Sequence, residues 1–309
     1  MAGYVARRLA AVLLTLWAAV TIVFFAIQIV PGDPAEAALS QSTASQDVLE
    51  RRREALGLDR PLPAQYARYL TNLLRGDLGL SWVAGQPVGV LIGQQMAPTA
   101  RLALASLAVA VVVGGALGLA SAIADGHWLG VLSHGLTGLL LSVPVMFTGT
   151  LFIWLFAVQA DVFPATGQGT PAQLVLPALV VGLNASAAIS RTVEAGVSQV
   201  QSQPFMLLAR AKGLSAWQAG LRPALRVGLL PPLDIVALQF AFLLGGTVVT
   251  EIVFSRQGLG RLLLFSVLNK DLPVVQGIVV LSAVAYGVLN LAADVAKAWL
   301  DPRIRQDAA

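Results

Sequence analysis

No cysteine occurs anywhere in the 309 residues. That excludes a disulfide framework, a cysteine-based metal site and thiol chemistry. Charge is scarce as well: Asp, Glu, Lys and Arg make up 12% of the chain, where a soluble domain carries about 25%. Hydrophobic residues make up 57% and the mean hydropathy is +0.76. A chain of this kind is a polytopic membrane protein, and its length suits one domain with an insertion. The net charge of +4 and the isoelectric point near 9.8 do not call for nucleic acid. In a membrane protein the simpler cause is Lys and Arg facing anionic lipid.

Chemical motifs are missing too. There is no GxxxxGK[ST] run, and Lys212 precedes a glycine instead of following a glycine-rich loop. ATP is therefore not bound through a P-loop. No Ser/His/Asp set and no HExxH is recognisable. The only histidines, His127 and His134, flank one turn with no acidic ligands clustered nearby, so no metal site is assigned. Within the apolar runs ionisable residues are almost absent, whereas proton- or sodium-coupled transporters need them at mid-membrane. The sequence argues against ion coupling and for an external energy source.

What is present is a series of apolar runs. Leu9–Val30 follows Arg7 and Arg8 and is long enough to cross a core of about 30 Å. A signal peptide is the rival reading, with Ala35-Glu36-Ala37 as its cleavage site, but the run exceeds the usual h-region. A retained first span with its N-terminus inside is expected. Residues 31–97 form a polar, external insertion. It contains turns at Pro31-Gly32-Asp33-Pro34 and Gly57-Leu58-Asp59-Arg60-Pro61-Leu62, and a helical stretch whose Tyr66, Tyr69, Leu70 and Leu73 lie against the membrane or the spans. Five further spans follow: Leu102–Ala124, Ser133–Ala160, Ala172–Ser190, Ile235–Thr250 and Val274–Ala293. Gly114 and Gly118 have the GxxxG spacing that lets helices approach closely. Pro144 kinks the third span. Pro177 and Asn184 lie in the fourth. The fifth is only about 16 residues, short for a bilayer, and contains Gly245 and Gly246. The expected architecture is all-α, with six transmembrane helices and both termini cytoplasmic. Its domains are 1–30, the insertion 31–97, and a five-helix core 98–309.

The most informative polar stretch is the loop 196–232. It carries Arg210, Lys212, Arg222 and Arg226 between two spans, and short basic loops stay on the cytoplasmic side. Pro204 suits the first turn of a helix. Phe205, Leu208, Ala209 and Trp217 fit one apolar face, broken at Gly213, which can adopt positive φ. The residues alone leave two readings open: an ordinary cytoplasmic loop with interfacial helices, or a docking element for another protein.

The run Ala209-Arg210-Ala211-Lys212-Gly213-Leu214-Ser215, with Leu230-Pro231 downstream, resembles the "EAA" loop of ABC importer permeases in its peptide/nickel form. Pro223 and Val227 stand where that family usually has His and Asn. Other stretches extend the resemblance along the chain: Gly76-Asp77-Leu78-Gly79 with Ser81, Pro98-Thr99, Ser142-Val143-Pro144 with Phe147, Leu176-Pro177, Glu251 with Gly258-Leu259-Gly260, Asp271-Leu272-Pro273, and Asp301-Pro302-Arg303. Their common order is similar to that of the first permease of dipeptide/oligopeptide-type ABC importers.

The resemblance implies a type I importer permease fold in a bacterial inner membrane. It implies a second permease, two ATPase subunits that hold ATP and magnesium, and an extracytoplasmic solute-binding protein. This chain itself would carry no cofactor and no enzyme activity. The resemblance assigns ATPase coupling to Phe205, Leu208 and Ala209–Ser215. The kinks and small residues make Pro144, Phe147, Pro177, Asn184, Gly245 and Gly246 candidates for the solute path. Asp77, Glu251, Gly258, Gly260 and Asp271 are candidates for docking the binding protein. Two other classes stay open: a passive channel, for which Asn184, Thr148, Thr150 and Ser186 would have to supply the polar ring, and a scaffold recruiting a cytoplasmic partner.

Overall fold

The computed structural model describes residues 2–29, 50, 59–124, 126–201, 203–204, 211, 213, 230–245 and 247–300. The helices, in order, are α1 (Ala2–Ile29), α2 (Leu62–Leu74), α3 (Val88–Ile123), α4 (Trp128–Ser142), α5 (Val145–Phe152), α6 (Ala172–Gln201), α7 (Leu230–Gly245), α8 (Val248–Val253), α9 (Leu259–Leu268) and α10 (Leu272–Leu300). A π-helical stretch, Ile153–Gln159, continues α5. Helices are the expected outcome for long apolar runs, because in hydrocarbon every backbone polar group must be paired within the segment.

Each expected span coincides with a helix, but the boundaries differ. By length and composition α1, α3, α6 and α10 are able to cross a membrane, and α4 with α5 and its extension forms a further, bent span. α7 is apolar but only 16 residues long. The fifth span is therefore displaced from Ile235–Thr250: α7 starts five residues earlier and stops at Gly245, and Thr247 is the N-cap of the separate α8. α3 begins at Val88 and runs through Pro98 without a break, so it takes in the end of the polar insertion. The loop after Phe254 holds a helix of its own, α9.

The core is the α3–α6 pair. α3 buries Ala103, Ser106, Ala110, Gly114, Gly118 and Ser121 at spacings of three and four, a stripe of small residues. A Cβ on Gly114 would lie 2.5 Å from the Ser186 carbonyl oxygen, and one on Gly118 would collide with that of Ser190. From the other side, Gly182 fits against the Ser106 carbonyl and Val109. The GxxxG spacing is thus a packing device. Ile189, Val193 and Val197 of α6 fill the same cluster. The amphipathic α2 lies on the first span: Tyr66 Oη and Thr21 Oγ1 are 2.6 Å apart, and Phe24 contacts the rings of Tyr66 and Tyr69.

Chain direction alternates from span to span, so the bundle has two distinct ends. The segment 59–87 and the loops on either side of α8 and α9 lie at one, here the insertion end. The end of α3, the start of α4, the end of α6 and the start of α7 lie at the other, the loop end.

Candidate functional site

At the insertion end two buried carboxylates tie distant segments together. Glu251, in α8, is 1% exposed. Its Oε1 accepts from Thr99 Oγ1 at 2.7 Å and from Thr247 Oγ1 at 3.0 Å, and its Oε2 accepts from the Arg261 N–H at 2.9 Å. Thr99 in turn accepts from the Leu259 N–H at 2.8 Å. Gly258 and Gly260 are buried over this cluster; a Cβ on the first would collide with the Glu251 carboxylate and one on the second with Val248. Glycine is needed there for space. Asp271 is 3% exposed. Its Oδ2 accepts from Ser81 Oγ and its Oδ1 from the Trp82 N–H at 2.9 Å. These bonds fasten the insertion to the start of α10.

Glu251, Gly258, Gly260 and Asp271, the docking candidates of this end, are all buried. A carboxylate inside this end must be paired, and both acids spend their oxygens on the fold. Asp77 is exposed, and it caps its own turn through the Gly79 N–H at 2.9 Å. Arg256, which sequence reasoning passed over, is buried and donates from Nη1 to the carbonyls of Gly167 (3.2 Å) and Gln173 (3.0 Å). Burial pushes its guanidinium pKa down, while the nearby Glu251 opposes that shift. The only signal available in the sequence was a lone arginine between Glu251 and the Gly258 turn.

In the middle of the bundle, α4 and α5 meet at 101°. The expected kink at Pro144 is a full break. Pro144 has no N–H to give the Leu140 carbonyl in the preceding turn. Asn184 Nδ2, from α6, donates to that carbonyl at 3.4 Å instead. Two path candidates from different spans are thus brought together. Phe147 is 60% exposed on α5, Pro177 is buried within α6, and Gly245 ends α7 beside Ser282. Gly246 lies outside the described residues.

At the loop end Thr137 and Ser190 share a hydrogen bond at 2.9 Å, and His134 Nδ1 lies 3.5 Å from Glu194 Oε1. Arg8, Asp234, Asp294 and Lys297 form a further ionic group there. Among the described residues no cluster of His, Asp or Glu could hold a metal ion. In the loop itself Pro204 and Ala211 are helical, and Gly213 has φ +78°. Ala211 and Gly213 are exposed. Phe205, Leu208, Ala209, Arg210, Lys212, Leu214 and Ser215 lie outside the described residues.

The segments that meet in this arrangement are those whose order along the sequence carried the resemblance. The family described as "Binding-protein-dependent transport system inner membrane component" matches residues 114–306, and its N-terminal counterpart matches residues 1–98. The chain belongs to this family. It is 38% identical over 305 residues to the glutathione transport system permease protein GsiC of Pectobacterium atrosepticum, covering 99% of each chain. The protein of the same name from Escherichia coli K12 is 36% identical over 305 residues, again covering 99% of each. Among solved structures, an inward-facing form of the MetNI methionine ABC transporter superposes with a TM-score of 0.57 at 16% identity, covering 68% of this chain and 96% of that one. That likeness concerns the fold, which is the type I importer permease fold. The chain is a multi-pass inner-membrane permease of a binding-protein-dependent ABC importer.

Proposed function

We propose that this permease carries di- or oligopeptides, or a related small solute, inward across the bacterial inner membrane as one half of a paired pathway. The observation that carries this reading is the end-to-end likeness to permeases named for glutathione, itself a small peptide. The second half comes from a second, similar permease. Two separate ATPase subunits bind ATP and magnesium and perform all the hydrolysis; this chain has no P-loop and no catalytic role. An extracytoplasmic binding protein delivers the solute to the insertion end. The loop end, with both termini, faces the cytoplasm.

The 204–217 segment is the element on which an ATPase subunit docks. Helical Pro204 and Ala211 followed by Gly213 at φ +78° support a short surface helix ended by a sharp turn. Small Ala209, Ala211 and Gly213 would let it nest closely, with Arg210 and Lys212 pairing with acids of the partner. Movement of this helix is passed to the spans. Pro144, Phe147, Pro177, Asn184, Gly245 and Gly246 shape the path that opens.

The test is purification of the tagged chain from native membranes in mild detergent, then reconstitution with whatever accompanies it. A co-purifying second permease and ATPase pair, with ATP-dependent uptake of labelled glutathione or dipeptide into vesicles, is the expected result. A chain that emerges alone and conducts solute without ATP would overturn the reading in favour of a channel.

A further inference from the structure

The charges at the loop end alternate along a chain. Arg8 Nε of α1 lies 3.1 Å from Asp294 Oδ2 of α10. The other oxygen of Asp294 lies 3.1 Å from Lys297 Nζ, one turn further along the same helix. Lys297 Nζ then lies 2.6 Å from Asp234 Oδ1 of α7. The Lys297 and Asp294 side chains are 16% and 13% exposed. Arg8 and Asp234, at the two ends of the chain of charges, are 46% and 51% exposed, so salt screens the interhelical pairs in part, whereas removal of the half-buried centre, Lys297, leaves two carboxylates without it.

The placement of this chain gives it a mechanical meaning. A cleft of about 540 Å³ lies between α1 and α7 over α10. Arg8, Asp234, Asp294 and Lys297 line it at the loop end, while Leu16 and Leu238 line it deeper. Among the described residues, side chains leave this space open, and the charges line it. Asp234 also stands one turn into α7, two residues after Pro231-Pro232.

We propose that Lys297 is a positioning residue for transport: it fastens the entry of α7 to α10 and, through Asp294 and Arg8, to α1, so that a displacement of the loop moves three helices together. The proposal rests on the loop being the ATPase-docking element. A lysine suits the task because its compact ammonium offers three donors on a long stem and so holds both carboxylates at once.

The experiment uses the assembled importer in vesicles, with solute uptake and ATP hydrolysis measured on the same preparation. Lys297→Met is expected to leave hydrolysis within about twofold and to lower uptake per ATP by about tenfold, a size usual for coupling between sites. Unchanged uptake per ATP in this variant, with both ATPases still bound, would overturn the relay and leave the docking reading intact. Absence of ATPases from the unaltered complex would instead remove the docking reading. A second variant guards against a folding defect. The chain has no cysteine of its own, so in partners freed of cysteine the pair Asp234→Cys and Lys297→Cys is the only place a short bis-thiosulfonate linker can bridge. Coupled uptake is expected to return on linking and to vanish on reduction. A linked protein that stays uncoupled would refute the relay.

Discussion

Asn184 supplies the Leu140 carbonyl with the hydrogen bond that Pro144 cannot give. The two residues are 44 positions apart and belong to different spans. A proline break inside a membrane is tolerated where neighbouring helices satisfy the freed backbone groups. Asn184→Leu keeps most of the volume and removes the donor. It is expected to lower stability by about 1–3 kcal/mol, the usual cost of a buried polar group left unpaired. In a Pro144→Ala background residue 144 regains its N–H, so the cost of Asn184→Leu should shrink towards zero. Thermal unfolding of the four proteins in detergent closes this double-mutant cycle. Additive losses would show that the amide and the break are independent.

Gly118→Ala places a methyl group against the Ser190 carbonyl, a backbone atom that cannot swing aside. The expected loss is about 1–3 kcal/mol, as for other overpacked sites, with a lower yield of folded protein. Gly115→Ala is the control. A Cβ there meets nothing within 4 Å, and alanine is the better helix former. Fluorescence size-exclusion profiles after heating distinguish the two; equal profiles would contradict the close approach of α3 and α6.

Tyr69 bears on alkaline stability. Burial, and then the neighbouring Tyr66, push its phenol from 10.0 up to about 12. The folded protein therefore holds this proton more tightly than the unfolded chain does. Ionisation of this phenol leaves stability unchanged below pH 10 and erodes it as pH rises towards 12. The hydroxyl is buried with no hydrogen-bond partner among the described residues. Tyr69→Phe should thus cost nothing at neutral pH and should flatten the decline between pH 10 and 12. Melting temperatures across that range check it; parallel curves for the two proteins would refute it.

Gly213 has φ +78°, in the left-handed region, and among the described residues nothing lies within 4 Å of where its Cβ would be. Gly213→Ala brings backbone strain of about 1–2 kcal/mol and should reduce coupled uptake mildly. Gly213→Pro cannot adopt the conformation and should separate ATP hydrolysis from uptake while the protein remains in the membrane. Normal uptake per ATP in the proline variant would rule out a role for this turn in coupling.

The helices were legible because apolar runs and bilayer physics leave few alternatives. The amphipathic pattern of Tyr66 and Tyr69 foretold a helix lying on the spans, and Gly213 foretold a positive φ. Other features depended on partners far away in sequence. Glu251 and Asp271 read as surface acids, because their hydroxyl partners, Thr99 and Ser81, are 152 and 190 positions distant. The start of α3 was hidden by Gln94 and Gln95, which gave the stretch from Val88 the polarity of a loop. The 101° break looked like a mild kink, since a proline alone does not specify an angle. Lys297 and Asp234 read as charges at helix ends, each ordinary alone; only their meeting gives them a role.

The length of α3 has a consequence for how motion spreads. Its 36 residues make a rod of about 54 Å, while the hydrocarbon core is about 30 Å thick. Thr99, near one end, grips the Glu251 cluster; Gly118, near the other, is locked to α6. A tilt of about 10° at one end of such a rod moves the other by roughly 9 Å. Such a rod would convert a small rotation beside the loop into a displacement of several ångströms at the insertion end.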